Sequence, residues 1–255
     1  MNNQLFDISN KLALITGSSK GIGKSLAYGL AASGARIVIN GRDKKKIAGT
    51  VKELKENGMD VYSSAFDVND KPSVEAQIEK IENELGSIDI LINNAGIQIR
   101  GPLEDFELDS WQRILDVNLT GVFIVSQCVA KKMIGRKSGK IINICSLQSD
   151  LARPTIAPYA ASKGGVRMLT RAMSAEWAKY NIQVNGIGPG YFKTDMTKSL
   201  VQDKDFDAWI KKRTPAQRWG DVNELTGAAI FLSSKASDFI NGQLIYVDGG
   251  LSTTI

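Results

Sequence analysis

Seven short apolar runs recur along the chain, separated by segments with helical spacing, and this alternation leaves few folds open. The runs are LALIT (12–16), RIVIN (36–40), VYSSAF (61–66), IDILIN (88–93), KIINIC (140–145), IQVNGI (182–187) and QLIYV (243–247). Most are apolar almost without a break. Strands buried on both faces read this way, and strict alternation with helices joins such strands in parallel. The chain is therefore predicted to be α/β: a doubly wound parallel sheet in three layers, with helices on both faces. The clearest helix is 111–133, where Trp111, Ile114, Leu115, Leu119, Val122, Phe123, Ser126, Val129 and Met133 are expected to line one side. No repeat, low-complexity tract or linker divides the 255 residues, so one domain over 1–255 is expected. The segment 191–222 breaks the rhythm. It is charged, polar and mostly helical in pattern, and is expected to cover the substrate at the C-terminal edge of the sheet.

Composition narrows the chemistry. The chain has no histidine. That removes Ser-His-Asp and Cys-His catalysis and histidine-ligated zinc together. Cys128 and Cys145 have no metal spacing and read as reduced core thiols. Glu104 and Asp105 alone do not make a cation site, so no metal is expected. The N-terminal stretch MNNQLFDISNK lacks a signal-peptide apolar region. No apolar run approaches the roughly 20 residues that span a bilayer. The expectation is a cytoplasmic protein with no membrane partner. Net charge is +5, but 32 basic residues are scattered among 27 acidic ones, with KKK at 44–46 the only tight run. A solvated helix face is expected there rather than a nucleic-acid surface. The mild positive field favours anionic ligands.

TGSSKGIG, residues 16–23, follows the first strand and opens a helix. Gly17, Gly21 and Gly23 supply a tight turn, close backbone approach and close helix packing. With Ser19, Lys20 and Ile22 they are candidates to hold a pyrophosphate on the helix N-terminus. The second strand ends Asn40-Gly41-Arg42. A carboxylate there would select NAD; an arginine, with Lys20, suits a 2′-phosphate, so NADP is expected over NAD.

Ser146 ends the fifth strand, and Tyr159 and Lys163 follow in PYAASK. Four residues are about one helical turn, so Tyr159 and Lys163 share a helix face. Pro158 suits that helix's first turn. A nearby ammonium and a cationic nicotinamide are both expected to lower the tyrosine pKa, letting Tyr159 exchange protons near neutral pH. Ser146 is then a hydrogen-bond partner for the substrate oxygen, with Lys163 on the nicotinamide ribose. Asn118 and Gly121, in VNLTG, are poor residues for a helix interior. They suggest a distorted turn whose carbonyl holds a water near Lys163.

TGSSKGIG, Asp67 after the third strand, NNAG at 93–96, Asn118, Ser146, Tyr159, Lys163 and PGYFKT at 189–194 occur in this order. Together they resemble the short-chain dehydrogenase/reductase family, from about residue 8 to 250. The resemblance implies a Rossmann-type sheet, NAD(P)-linked carbonyl/alcohol interconversion, and Asn118, Ser146, Tyr159 and Lys163 as the catalytic set. It also implies Asp67 and Val68 near the adenine, Asn94, Ala95 and Gly96 beside the cofactor, and Pro189, Gly190 and Thr194 around the nicotinamide. Such proteins are mostly tetramers, with helices near 111–135 and 158–179 as the main interface. NNAGIQIRGP, INICSLQSD and NIQVNGIGPGYFKTDMTKSLV further resemble members that interconvert D-gluconate and 5-dehydro-D-gluconate. Ile99 departs from them, since many relatives carry a second basic residue there. For a small anionic sugar acid, Arg100 is the candidate for the carboxylate, and Gln148 and Arg153 for the hydroxyls. Two alternatives stand beside this: a 3-ketoacyl-acyl-carrier-protein reductase, which shares every catalytic motif, and a non-catalytic NADP-sensing protein on the same fold. The second would be expected to lack one of Ser146, Tyr159 and Lys163.

Overall fold

In a computed structural model describing residues 4–254, all seven apolar runs are strands of one parallel sheet. Met1–Asn3, the start of the polar N-terminal stretch, and Ile255 lie outside the described residues. The chain alternates β1 (Leu12–Ile15), α1 (Gly21–Ala32), β2 (Arg36–Gly41), α2 (Lys44–Glu56), β3 (Val61–Ala65), α3 (Lys71–Glu84) and β4 (Ile88–Asn93). Helices α4 (Leu108–Leu115) and α5 (Gly121–Arg136) then lead to β5 (Gly139–Ile144), and α6 (Ala157–Trp177) leads to β6 (Ile182–Pro189). Two further helices, α7 (Lys198–Gln202) and α8 (Lys204–Arg213), precede α9 (Thr226–Ser233) and β7 (Leu244–Val247).

The strand order is β3-β2-β1-β4-β5-β6-β7, and every neighbouring pair is parallel. Period-2 alternation sends successive side chains to opposite faces. Ala13 and Ile15 of β1, with Ile39, Ile92 and Ile142, pack against Leu26 and Leu30 of α1, Leu54 of α2 and Leu232 of α9. Leu12 and Leu14 turn the other way, with Leu91 and Ile141, onto Ile78 of α3, Val125 and Met133 of α5 and Met173 of α6. Both faces are therefore covered, which is why the central strands are apolar almost without a break. The sheet grows outward from β1 in one direction and from β4 in the other. The crevice between their C-terminal ends is where ligands bind in such sheets.

The helix starts follow local chemistry. The Asp43 carboxylate accepts from the Lys45 and Lys46 amides at the start of α2, and Asp70 accepts from the Ser73 amide in α3. The α1 N-terminus has no side-chain cap. Between α4 and α5 the helix continues through a π-helical turn, Asp116–Thr120. One consequence corrects the expected stripe. Ile114, Val122, Ser126, Val129 and Met133 are buried, but Phe123 is 45% exposed, and Trp111, Leu115 and Leu119 are only half-buried. The wider turn shifts the phase of the helix, so Ile124, Val125 and Cys128 share the buried face instead. The joined helix Leu108–Arg136 is long and apolar enough by composition alone to cross a membrane, although no single apolar run in the sequence is. Over half of its most apolar window is buried within the fold.

The central strands should carry the stability. Ile142, fully buried in β5, loses about 2–5 kcal/mol of unfolding free energy on substitution by Ala and about 0.5–1.5 kcal/mol by Val. Urea titration of both variants measures this, and equal losses would contradict a tightly packed sheet face.

Candidate active site

The glycine-rich loop follows β1 and is held on two sides. Gly17 lies at φ +62°, and a Cβ there would come 2.9 Å from Ala95 Cα. A Cβ on Gly23 would fall 2.4 Å from Asn94 Nδ2. The Asn94 side chain donates to the Thr16 and Gly17 carbonyls at 2.9 and 3.1 Å. The Thr16 hydroxyl accepts from the Asn94 and Ala95 amides. NNAG is thereby fastened to the loop from the β4 side. From the β2 side, buried Asn40 accepts from the Gly17 amide and donates to the Ser64 and Phe66 carbonyls. The uncapped α1 N-terminus opens beside this loop. Unpaired amides, a partial positive charge and a backbone without side chains make the fit expected for a dinucleotide pyrophosphate.

A cleft of about 680 Å³ runs from this loop across the C-terminal ends of the strands. Gly17, Ser19, Lys20, Gly21 and Ile22 line one end, with Arg42, Asp67 and Val68 beyond them. Asn94, Ala95 and Gly96 line the middle. Ser146, Tyr159, Lys163, Pro189, Gly190 and Thr194 line the other end, with Arg100, Gln148 and Arg153. Two of the residues singled out in the sequence lie behind the wall. Gly23 packs beneath the loop, and Asn118 is fully buried in the π-helical turn.

Asn118 is a joint. Its side-chain oxygen accepts from the Ile97 amide at 2.8 Å. Its amide nitrogen donates to the Ile97 carbonyl at 2.9 Å and to Ser162 Oγ at 3.1 Å. One side chain thus ties the β4 loop, the π turn and α6 together. Lys163 is buried one helical turn from Tyr159, and its Nζ donates to the Ile144 carbonyl at 2.6 Å. Burial brings its pKa down to about 8. Ser146 Oγ accepts from the Gln148 amide and donates to Gln148 Oε1 at 2.6 Å.

The protein's own groups do not by themselves supply the expected lowering of the Tyr159 pKa. Burial pushes the phenol up, opposed by a hydrogen bond with Ser146. The Lys163 ammonium sits 5.8 Å over the Tyr159 ring centroid and is directed at a carbonyl rather than the phenol oxygen. In the protein alone, Tyr159 holds its proton.

At the same end, Arg100 and Arg153 approach closely enough that their repulsion, after burial, lowers the Arg100 pKa. Neither has a carboxylate partner within salt-bridge distance among the described residues, and Arg100 Nε is buried without a hydrogen-bond partner. Segment 191–222 folds over this end. Leu200 and Thr197 line the cleft. Tyr191, Leu200, Val201, Phe206, Ile210 and Trp219 form an apolar cluster with Leu147 and Leu251 that adjoins the cleft.

Three contributors escaped the sequence reading. Tyr191, within PGYFKT, lines the cleft with Gln148 and Arg153. Lys46 lines the cleft beside Arg42 while staying exposed on the solvated helix face expected for KKK, 3.7 Å from the Asp43 carboxylate. Asn40 was noted only for not being acidic, while its amide organises the loop. Among the described residues no three Cys, Asp or Glu side chains converge to hold a metal ion.

Residues 11–205 match the short chain dehydrogenase family model. The chain is 54% identical to 5-keto-D-gluconate 5-reductase of Escherichia coli (strain K12), covering 99% of this chain and 100% of that protein. It is 51% identical to 2-dehydro-3-deoxy-D-gluconate 5-dehydrogenase of Formosa agariphila, covering 100% of this chain and 97% of that one. A solved structure of a gluconate 5-dehydrogenase from Burkholderia cenocepacia J2315, in complex with NADP and tartrate, superposes with a TM-score of 0.97 at 56% identity over 99% of each chain.

The buried lysine has a stability signature. Its folded pKa, about 8, lies below its ordinary value of 10.5, so its charge costs stability at all pH below about 8. Between about 8 and 10.5 the unfolded chain binds more protons, and stability rises with pH as this cost is relieved. Lys163→Met removes the cost. Relative to the unsubstituted protein, its stability should be more favourable at pH 7 than at pH 10, by up to about 3 kcal/mol. Denaturant titrations at both pH values test this, and a pH-independent difference would contradict it.

Proposed function

The chain belongs to the short-chain dehydrogenase family, and on that premise we propose an NADP-linked oxidoreductase that interconverts D-gluconate and 5-dehydro-D-gluconate. The observation that carries the substrate assignment is the pair of arginines, Arg100 and Arg153, facing the Ser146–Tyr159–Lys163 end of the cleft without carboxylate partners. A small polyhydroxy acid supplies the missing anion, with its hydroxyls toward Gln148 and Tyr191. The relatives point the same way. Two act, by name, at position 5 of a gluconate skeleton, and the Burkholderia enzyme holds tartrate, a hydroxy acid. A thioester on an acyl carrier would need an apolar channel where these arginines stand.

The cofactor, when bound, supplies or accepts hydride at the nicotinamide. The protein's own residues handle the oxygen. Tyr159 gives its proton to the C5 oxygen during reduction and takes it back during oxidation. Ser146 donates a hydrogen bond to the same oxygen and fixes its position. Lys163, whose Nζ donates to the Ile144 carbonyl, would hold the nicotinamide ribose hydroxyls when the cofactor is bound and place positive charge beside the tyrosine. Asn118 holds the π turn whose carbonyl carries a water between Lys163 and solvent. At the other end Lys20, Arg42 and Lys46 outnumber Asp43 and Asp67 around the tip of β2, supporting NADP over NAD. The Arg42–Asp67 pair, 3.5 Å apart and exposed, is too weak to remove Arg42 from that role. We also propose a homotetramer built on α5 and α6, whose exposed Phe123 and Met168 supply apolar contact surface.

Two substitutions separate the ends of the site. Arg100→Ala should raise KM for 5-dehydro-D-gluconate by about 10- to 100-fold, the loss of a charged hydrogen bond, with KM for NADPH unchanged. Equal changes in both constants would sink the carboxylate role. Arg42→Ala should raise KM for NADPH about tenfold while leaving NADH within about twofold. An equal effect on the two cofactors would remove Arg42 from the 2′-phosphate.

A further inference from the structure

Arg153 is held from outside the cleft. Its guanidinium carbon lies 5.3 Å over the centroid of the Phe206 ring, within cation–π range. Phe206 does not line the cleft; it belongs to α8. Its own position is fixed. The Asp203 carboxylate caps α8 by accepting from the Asp205 and Phe206 amides. The ring packs against Tyr191 at 5.6 Å, Trp209 at 5.4 Å and Trp219 at 6.4 Å between centroids. Trp219 is buried and anchored through Nε1 to Asp207 at 2.8 Å.

The choice of partner matters chemically. A carboxylate beside Arg153 would fix the side chain but neutralise it and consume its donors. An aromatic face restrains the long side chain and leaves the in-plane N–H groups for a ligand. The other guanidinium is treated similarly: Arg100 Nη1 donates to Ser199 Oγ of α7 at 3.3 Å, a neutral partner. Both arginines are thus oriented by the covering segment 191–222 without loss of charge.

We infer that Phe206 is a positioning residue which, through Arg153, sets the preference for acidic over uncharged substrates. This rests on the reading of Arg100 and Arg153 as carboxylate-binding residues. Phe206 touches no reacting atom; it preorganises the cation, so its contribution appears only for a substrate that carries the anion.

The test compares 5-dehydro-D-gluconate with its uncharged amide, using NADPH and the full-length enzyme. Phe206→Leu keeps an apolar side chain but removes the π face. It should raise KM for the acid about fivefold, with kcat, KM for NADPH and kcat/KM for the amide unchanged. Phe206→Tyr should restore the preference for the acid, showing that the aromatic face, not helix integrity, is responsible. Equal losses on acid and amide, or no loss on the acid, would overturn the inference. Arg153→Leu separates the two levels. If it raises KM for the acid while Phe206→Leu does not, the coupling fails and the carboxylate reading stands. If Arg153→Leu leaves the acid unaffected, the carboxylate role of Arg153 fails, and the inference with it.

Discussion

The parallel direction of all seven strands is the constraint on which the site depends. Parallel strands end at one edge, so the loops after β1, β2, β4, β5 and β6 meet there although up to about 170 residues separate them in sequence. The reversal of growth between β1 and β4 opens a crevice at that edge, and side-chain hydrogen bonds then set its walls. Asn40 fastens the glycine loop to β2, Asn94 fastens it to β4, and Asn118 fastens the β4 loop to α6. Three buried or half-buried amides span strand ends that backbone bonds no longer join. Amides suit this task because each offers both donor and acceptor without charge.

Against that neutral frame the charged groups are placed at a cost. Lys163 is buried with only a carbonyl partner, and Arg100 and Arg153 face each other without carboxylates. Each arrangement opposes folding, because isolated charge is stabilised by water. The arrangement makes sense for a protein whose ligands bring negative charge: a dinucleotide phosphate at one end and a sugar acid at the other. Local instability at functional positions is a common feature of binding sites.

The sheet was legible because parallel strands announce themselves as unbroken apolar runs, and each of the seven runs became a strand. The cleft residues were legible because a glycine loop, NNAG, and Ser–Tyr–Lys stand at the ends of those runs. What the sequence hid was anything that depends on burial or on phase. Phe123 sits on the expected stripe, but the π turn before it shifts the phase toward solvent. The Tyr159–Lys163 spacing was plain, yet not that Lys163 is buried or that its ammonium points at the Ile144 carbonyl. Tyr191 and Phe206 were hidden for another reason. They lie in a segment of irregular pattern, and only the fold brings α8 against Arg153.

We propose that cations placed at the substrate end specialise this family framework for a small acid. Initial rates of NADPH oxidation, comparing 5-dehydro-D-gluconate with an acetoacetyl thioester at equal enzyme, decide it. The sugar acid should show a kcat/KM at least about 100-fold higher, as two charge-assisted contacts supply. Equal or better turnover of the thioester would contradict it, leaving the fold and cofactor cleft intact but removing the role assigned to Arg100 and Arg153.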